Sequence, residues 1–144
     1  MVIRYDPLTR SARTDDHLVL NMDLAPTWAA LAGRLMSGAN GHSLLPLLRS
    51  SSARWRTQFL VEHLKDVEAD PITRSDPTYC AIRTKVFKYV LYQTREQELY
   101  RLTTNRYELH NLAHRPLFRD RMLSLRHRLN LMCRPRPPGF TAFG

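Results

Sequence analysis

The spacing of apolar residues changes along the chain, from a helical period to an alternating one and back again. The first helical segment runs from Asp23 to Gly33, where apolar side chains recur about one turn apart. Asp23 is a residue type that caps helix N-termini, and Pro26 lies in the first turn, where its missing N–H costs little. Because Gly33 suits the left-handed position after a helix, the pattern predicts a helix over 23–33.

Two short apolar runs precede this helix. Residues 2–6 form a run that ends at Asp6-Pro7, which favours a turn because the residue before proline is kept out of the helical region. Residues 18–20 follow a polar stretch. Both runs predict short strands. Residues 43–48 are apolar but contain a proline, so one or two turns of helix is the most that this pattern allows.

The middle of the chain tends to alternate between apolar and polar residues, as strands with one buried face do. Residues 58–64 alternate weakly, and residues 79–83 and 87–92 are two β-rich runs that lie close together in the sequence. That spacing predicts a hairpin, and residues 98–102 predict a further short strand. The polar segment 66–77 contains two prolines, which predicts a long surface loop.

The last part of the chain returns to the helical period. Pro116 suits a first helical turn, and an apolar stripe then predicts an amphipathic helix over about 116–133. Residues 134–144 contain three prolines and two glycines, so this tail is predicted to be disordered or loosely packed. The stripe consists of Phe118, Met122, Leu125, Leu129 and Met132.

Composition fits an ordinary globular domain. The chain has 144 residues, of which 43% are hydrophobic and 24% charged, and its mean hydropathy is -0.41. No run approaches the roughly 18 apolar residues that span a membrane, so no membrane partner is expected. Residues 1–6 contain no long apolar stretch, so no signal peptide is expected in this chain, and its localisation stays unknown.

The net charge is strongly positive, at +9, with an isoelectric point of about 10.3. Such a balance allows a basic interaction module that binds nucleic acid or an acidic partner. However, 19 of the 22 basic residues are arginines spread along the whole chain. This spread argues against a dedicated nucleic-acid surface, which is kept as the alternative hypothesis.

Candidate metal ligands are few. The chain contains no GxGxxG, GxxxxGK[ST], GxSxG or HExxH motif. Asp15 and Asp16 are a carboxylate pair that could bind a hard cation, but adjacent residues of a strand point to opposite faces. His110 and His114 have the spacing of two zinc ligands on a helix, yet no third ligand is evident nearby. No metal site is therefore predicted.

The remaining reactive side chains allow more than one interpretation. His63 follows Glu62 in a strand-like run, so it is either a packed strand residue or a residue that faces a cleft. Cys80 lies in a β-rich run, where a small buried residue is expected rather than a nucleophile. A disulfide between Cys80 and Cys133 is allowed but not implied by two cysteines alone.

Six short segments are more specific than any single residue. Their order and spacing resemble those of the C-terminal portion of type I sulfatases, the formylglycine-dependent, arylsulfatase-like enzymes, over about residues 2–132. The segments are LVLNMDLAPT at 18–27 with LAG at 31–33, GHSLLPLL at 41–48, WR at 55–56 with VE at 61–62, AIRTK at 81–85 with KY at 88–89, ELY at 98–100, and YELHNLA at 107–113.

The departures from the family pattern are local. The family usually has aspartate at the positions of Asn40 and Arg101. It usually has Asp-Pro at the position of Asn105-Arg106. Each change removes a carboxylate or a proline from a turn, which weakens turn chemistry without moving the segments. The tail after residue 132 also differs from the usual end of the family.

The resemblance implies an α/β parent fold, of which this chain is an α+β portion. It would supply the edge of the sulfatase and alkaline-phosphatase-like mixed sheet, then a small antiparallel sheet with a packed C-terminal helix. Residues 1–54 would end the catalytic domain, with strands and the helix at 23–33. Residues 55–133 would form the C-terminal subdomain, and residues 134–144 the disordered tail.

The resemblance also implies chemistry that this chain lacks. Sulfatases convert a cysteine or serine of a C/S-x-P-x-R motif to formylglycine and hold calcium with three aspartates and an asparagine or a close variant. In the family those residues lie in the larger N-terminal part, upstream of the region that this chain resembles. The near match Cys133-Arg134-Pro135-Arg136-Pro137 has proline where arginine is required. No catalytic residue, metal ligand or cofactor is therefore predicted in this chain.

Two residues are predicted to face substrate. In the family the smaller domain packs against the catalytic domain and helps to wall its cleft. His63 and Arg83 are the candidates for this rim, since a basic side chain there favours an anionic sulfate ester. The predicted partner is the N-terminal catalytic portion of a sulfatase. The predicted function is that of a sulfatase (sulfuric ester hydrolase) C-terminal fragment that is inactive alone.

Overall fold

A computed structural model describes residues 1–9, 11–65 and 77–143. The chain divides into two compact units, Met1–Arg56 (unit 1) and Thr57–Gly144 (unit 2). The assignment of residues 1–54 to a catalytic domain and of residues 55–133 to a subdomain stays a prediction. The predicted loop over 66–77 lies almost entirely outside the described residues.

Unit 1 contains the predicted helix. A 3-10 turn, Asn21–Asp23, leads into α1 (Leu24–Leu31), and α2 (Leu45–Arg49) is a single short turn of helix. Gly33 follows α1 with a φ of 69°, the left-handed conformation expected of it. Within the described part of unit 1, the predicted strands at 2–6 and 18–20 do not form. Every strand of the sheet lies between residues 58 and 101, and a strand needs such a hydrogen-bonded neighbour.

The carboxylate of Asp23 joins the segments of unit 1 and is completely buried. It accepts hydrogen bonds from the backbone N–H groups of Leu20, at 2.8 Å, and His42, at 2.9 Å. The Arg56 guanidinium donates two more, at 2.5 and 2.6 Å. Thr27 lies one turn further along, where its hydroxyl donates to the Asp23 carbonyl and accepts from the Leu44 N–H.

Unit 2 is built on four antiparallel strands in the order β1 (Gln58–His63), β2 (Tyr79–Thr84), β3 (Phe87–Tyr92) and β4 (Gln97–Arg101). These strands match the predicted ones closely, and β2 and β3 form the predicted hairpin. The final helix, α3 (Arg119–Met132), follows a 3-10 turn at Pro116–Phe118.

One face of the sheet packs against α3. Alternate strand residues point to this face, and the Cys80–Cys133 disulfide, with Cα atoms 6.4 Å apart, joins β2 to the end of the helix. The buried cluster on this face includes Cys80, Ile82, Tyr89, Leu91 and Leu99 from the strands, with Leu125 and Leu129 from α3. The mixed α+β class, with an antiparallel sheet and a packed terminal helix, is confirmed.

The tail differs from the predicted disorder. Within residues 134–143, Phe140 and Ala142 are buried in the same core as the sheet and α3. The Arg126 guanidinium donates a hydrogen bond to the Ala142 carbonyl at 3.2 Å, and the rings of Phe140 and Phe143 lie 5.7 Å apart. Prolines and glycines disfavour helix and sheet, but they do not prevent aromatic side chains from packing as an irregular segment.

None of the described helices has the length and apolar character that crossing a bilayer requires.

Candidate functional site

The candidate site is the sheet face opposite α3, on which the two predicted rim residues lie. Strand alternation places Tyr79, Ala81 and Arg83 of β2 on this face. His63 is the cross-strand partner of Tyr79, and Arg83 is the partner of Lys88. Arg83 therefore lies four residues, about 13 Å, along β2 from the His63–Tyr79 pair. The two rim candidates share one face but lie at opposite ends of it.

The end with His63 is aromatic. The His63 ring stacks on Tyr79, with ring centroids 5.4 Å apart and planes 27° apart, and Tyr79 meets the edge of Tyr92 at 5.5 Å. A cleft of about 800 Å³ opens beside this cluster. Its lining includes Pro77, Tyr79, Tyr92, Glu98, Asn111 and His114.

Two tyrosine hydroxyls lie near the carboxylate of Glu98. Burial, followed by the negative charge of Glu98, raises the pKa of Tyr100 to about 12. The same two causes, in the same order, raise the pKa of Tyr92. Both phenols therefore keep their protons at neutral pH. The Tyr92 hydroxyl, the Glu98 carboxylate and the flat aromatic faces line the cleft, while Tyr100 is buried. Together the lining groups form a surface suited to a polar ring such as a sugar.

The end with Arg83 is polar. The Glu108 carboxylate lies between two basic side chains, 2.6 Å from Lys88 Nζ and 3.6 Å from the Arg83 guanidinium. Glu108 adopts a left-handed φ of 58°. The backbone N–H of Leu109, the residue after Glu108, donates a hydrogen bond to Asn105 Oδ1. Sequence reasoning missed this pairing, because it depends on a loop conformation twenty residues from Lys88. Glu108 therefore compensates part of the positive charge at this end.

Asn111 is a structural residue of this region. Its Oδ1 accepts the backbone N–H groups of Leu99 and Ala113 at 3.0 and 2.9 Å, and its Nδ2 donates to the Gln97 carbonyl at 3.0 Å. These three bonds attach the segment after β4 to the edge of the sheet. They explain physically why the YELHNLA segment carries an asparagine at this position.

The residues that the structure describes do not fit the calcium ion and formylglycine that the resemblance implies for full-length relatives. Cys80 and Cys133 are joined as a disulfide, so neither is a free thiol. Within the described residues, ligand atoms cluster at Glu62 with the two cysteines, and at Asp15, Asp16 and His17. Calcium takes six to eight oxygen ligands, which neither group provides.

The Asp15 carboxylate already has protein partners. It accepts a hydrogen bond from the His17 backbone N–H and lies 2.5 Å from Nδ1 of that ring, with Arg13 at 4.0 Å. The backbone bond, then the side-chain bond, holds the pKa of Asp15 below its usual value. His110 and His114 are exposed, and in the described part of the chain neither belongs to a group of ligand atoms.

Solved structures with the same architecture define the class of this chain. BT4656, solved in complex with its substrate D-glucosamine-2-N,6-O-disulfate, is 25% identical with a TM-score of 0.67; the match covers 77% of this chain and 23% of that one. BT1596, a 2-O GAG sulfatase, is 25% identical with a TM-score of 0.66, and the match covers 77% and 24%. The phosphonate monoester hydrolase of Agrobacterium radiobacter shares the fold, at 23% identity, a TM-score of 0.61 and coverage of 76% and 24%.

The architecture is thus that of the C-terminal region of sulfatases and related alkaline-phosphatase-like enzymes. Residues 1–134 match the family described as N-sulphoglucosamine sulphohydrolase, C-terminal, and the chain belongs to that family. The predicted sulfatase resemblance is confirmed. The chain spans about a quarter of the length of these solved structures. A search of curated proteins found no match.

Proposed function

We propose that this chain is the C-terminal part of a sulfatase that acts on sulfated amino sugars, at O-linked sulfate esters or at N-linked sulfate groups. The observation that carries the proposal is the family match over residues 1–134, since that family is named after an N-sulphoglucosamine sulphohydrolase. BT4656 adds support, because its substrate is also a sulfated glucosamine. Neither comparison favours the alternative of a basic nucleic-acid-binding module.

The chain would not hydrolyse sulfate esters alone. Its sequence contains no C/S-x-P-x-R motif, its cysteines are joined to each other, and its described carboxylates do not gather into a calcium site. In this proposal the N-terminal catalytic portion of a sulfatase supplies formylglycine and calcium. This chain supplies structural support and one wall of the substrate cleft.

The wall would be the sheet face that carries His63 and Arg83. Arg83 is 40% exposed at its side chain and lies 3.6 Å from Glu108, so its guanidinium is positioned but not fully neutralised. A planar guanidinium matches the oxygens of a sulfate group. At the other end, the aromatic cluster of His63 and Tyr79 offers a flat apolar surface for the sugar ring.

The purified chain provides the first test. D-glucosamine-2-N,6-O-disulfate and 4-nitrophenyl sulfate are incubated with the chain, with and without calcium, and released sulfate and nitrophenol are measured. We expect no release above the buffer blank in either condition, with BT4656 as the positive control. Turnover that follows the concentration of the chain and survives further purification would show that it holds a complete active site and would contradict the proposal.

The rim is tested in a chimaera in which this chain replaces the C-terminal part of BT4656. Arg83→Ala is expected to raise KM for the disulfated glucosamine about tenfold with little change in kcat, because a hydrogen bond to a charged group contributes about 1.5–3 kcal/mol. His63→Ala should raise KM less. Arg34→Ala, at an exposed position of unit 1, is the matched control. An unchanged KM in both rim variants would remove these residues from the substrate wall.

A further inference from the structure

The positive charge of unit 2 is concentrated at its C-terminal end. Residues 57–114 contain eight lysines and arginines and also eight aspartates and glutamates, so their formal charges cancel. Residues 115–144 contain seven arginines and a single acidic residue, Asp120. The excess positive charge of unit 2 therefore lies on α3 and the segments that flank it.

Two arginines on α3, Arg121 and Arg128, are held by neutral partners. The Arg121 guanidinium lies over the Phe87 ring, 5.5 Å from its centroid, and Arg128 donates a hydrogen bond to the Gln58 side-chain oxygen. Among the residues that the structure describes, no ion pair joins a carboxylate to any of the seven arginines after residue 114. The side chains of Arg121 and Arg128 are thus oriented while their charges stay uncompensated.

Two of these arginines, Arg121 and Arg128, form one surface with Arg101 of β4, and we call this surface the arginine face. Arg121 and Arg128 are seven residues apart, so they lie on the same side of α3, about 10.5 Å from each other. Arg101 is the direct cross-strand partner of Phe87 and so emerges beside the ring that Arg121 covers. This surface belongs to the α3 side of the sheet, whereas His63 and Arg83 belong to the opposite side.

We propose that the arginine face binds a linear sulfated polysaccharide at a site separate from the substrate wall. The inference rests on the proposed function, since a hydrolase of sulfated amino sugars meets such polymers. A guanidinium forms paired hydrogen bonds with sulfate oxygens. Because Arg121 and Arg128 are already oriented and no carboxylate of the described residues must be displaced from them, binding costs less ordering than for free side chains. A row of cations matches the repeated anions of the polymer.

Affinity for heparin, measured by titration at several salt concentrations, tests the proposal on the complete chain. The double variant Arg121→Gln with Arg128→Gln is compared with Arg34→Gln with Arg54→Gln, which removes the same charge from exposed positions of unit 1. We expect the first variant to lower the slope of log affinity against log salt by about two, one for each lost contact, and the control to leave it nearly unchanged. Circular dichroism confirms folding, and Arg101→Gln alone should lower the slope by about one.

Three results would overturn the inference: no heparin binding by the wild type, an equal loss in the control pair, or tighter binding of single-stranded RNA of the same charge. The last result would assign the surface to nucleic acid instead. Since these titrations involve no turnover, failure of the sulfatase proposal and failure of the binding site are told apart. In the chimaera, the double variant should keep the activity on the disulfated monosaccharide.

Discussion

The replacement Asp23→Asn tests the interaction that organises unit 1. Burial alone would raise the pKa of Asp23, but the hydrogen bonds from Arg56, His42 and Leu20, with the positive charge of Arg56, outweigh it and hold the pKa below its usual value. The carboxylate is thus ionised in the folded protein. An asparagine of nearly the same shape offers one acceptor oxygen instead of two and leaves the guanidinium without a counter-charge.

The expected cost is large because both partners are buried. The side-chain exposure is 0% for Asp23 and 10% for Arg56. Removing one partner of such a pair costs about 3–5 kcal/mol, because the remaining charge stays uncompensated. With a urea dependence of roughly 1–3 kcal/mol per molar, the unfolding midpoint should fall by at least about 1 M. Arg56→Gln added to Asp23→Asn should recover part of the loss.

Tryptophan fluorescence during urea unfolding measures this effect, since both tryptophans, Trp28 and Trp55, belong to unit 1. The indole N–H of Trp55 donates to the Leu18 carbonyl at 2.7 Å, so its environment depends on this part of the fold. Asp6→Asn is the matched control, because the Arg4–Asp6 pair is exposed and an exposed ion pair is expected to contribute little to stability. Equal midpoints for the two variants would refute the reasoning.

Three further predictions concern both units. Because the pKa of Asp23 is lowered in the folded state, the stabilisation that its carboxylate provides is present above the unfolded value of 3.8 and is lost as pH falls through the folded value. The difference in unfolding free energy between wild type and Asp23→Asn should therefore narrow below pH 3.8. A difference that stays constant with pH would contradict this. The Cys80–Cys133 disulfide closes a separation of 53 residues, and its reduction should destabilise unit 2 by up to about 4 kcal/mol. Urea unfolding followed by circular dichroism measures this loss, and an unchanged unfolding midpoint would contradict the prediction. Gly41→Ala would place a Cβ 2.0 Å from the Met22 carbonyl oxygen and should lower the free energy of unfolding by about 1–3 kcal/mol or more. Gly38→Ala, with open space around it, should lower it by about 1 kcal/mol. Similar losses in the two variants would show that the contact at Gly41 does not limit stability.

Local periodicity was enough to predict most of unit 2. The apolar stripe from Phe118 to Met132 marks α3 because its spacing follows the helical repeat, and the β-rich runs mark the four strands because burial on one face imposes alternation. Gly33 was also predicted, since only its conformational freedom suits the left-handed residue after α1. In each case the signal and the structure lie within the same short segment.

The features that were not predicted depend on contacts between distant segments. The runs at 2–6 and 18–20 have strand-like composition, but a strand also needs a neighbour, which no local pattern specifies. Cys80 and Cys133 meet only because α3 crosses the sheet, and Glu108 meets Arg83 only because its loop turns back over β3. The tail is ordered because the burial of Phe140 outweighs the tendency of the neighbouring prolines and glycines to prevent regular structure.

The same distinction applies to the candidate site. The family resemblance and their basic character make His63 and Arg83 the rim candidates, and strand register places both on one face. Their separation by four residues along β2 divides that face into an aromatic end and a basic end. Tyr79, Tyr92 and Glu98 were missed, because aromatic residues in strands are ordinarily core residues and only the cleft shows otherwise.

Sulfatase activity of the chimaera between the catalytic portion of BT4656 and this chain tests the central claim most directly. The measurement is release of sulfate from D-glucosamine-2-N,6-O-disulfate, with the catalytic portion alone and BT4656 itself as controls. If this chain is a sulfatase C-terminal region, the folded chimaera should release sulfate well above the catalytic portion alone. A folded chimaera that contains formylglycine and calcium but is no more active than the catalytic portion alone would contradict the account.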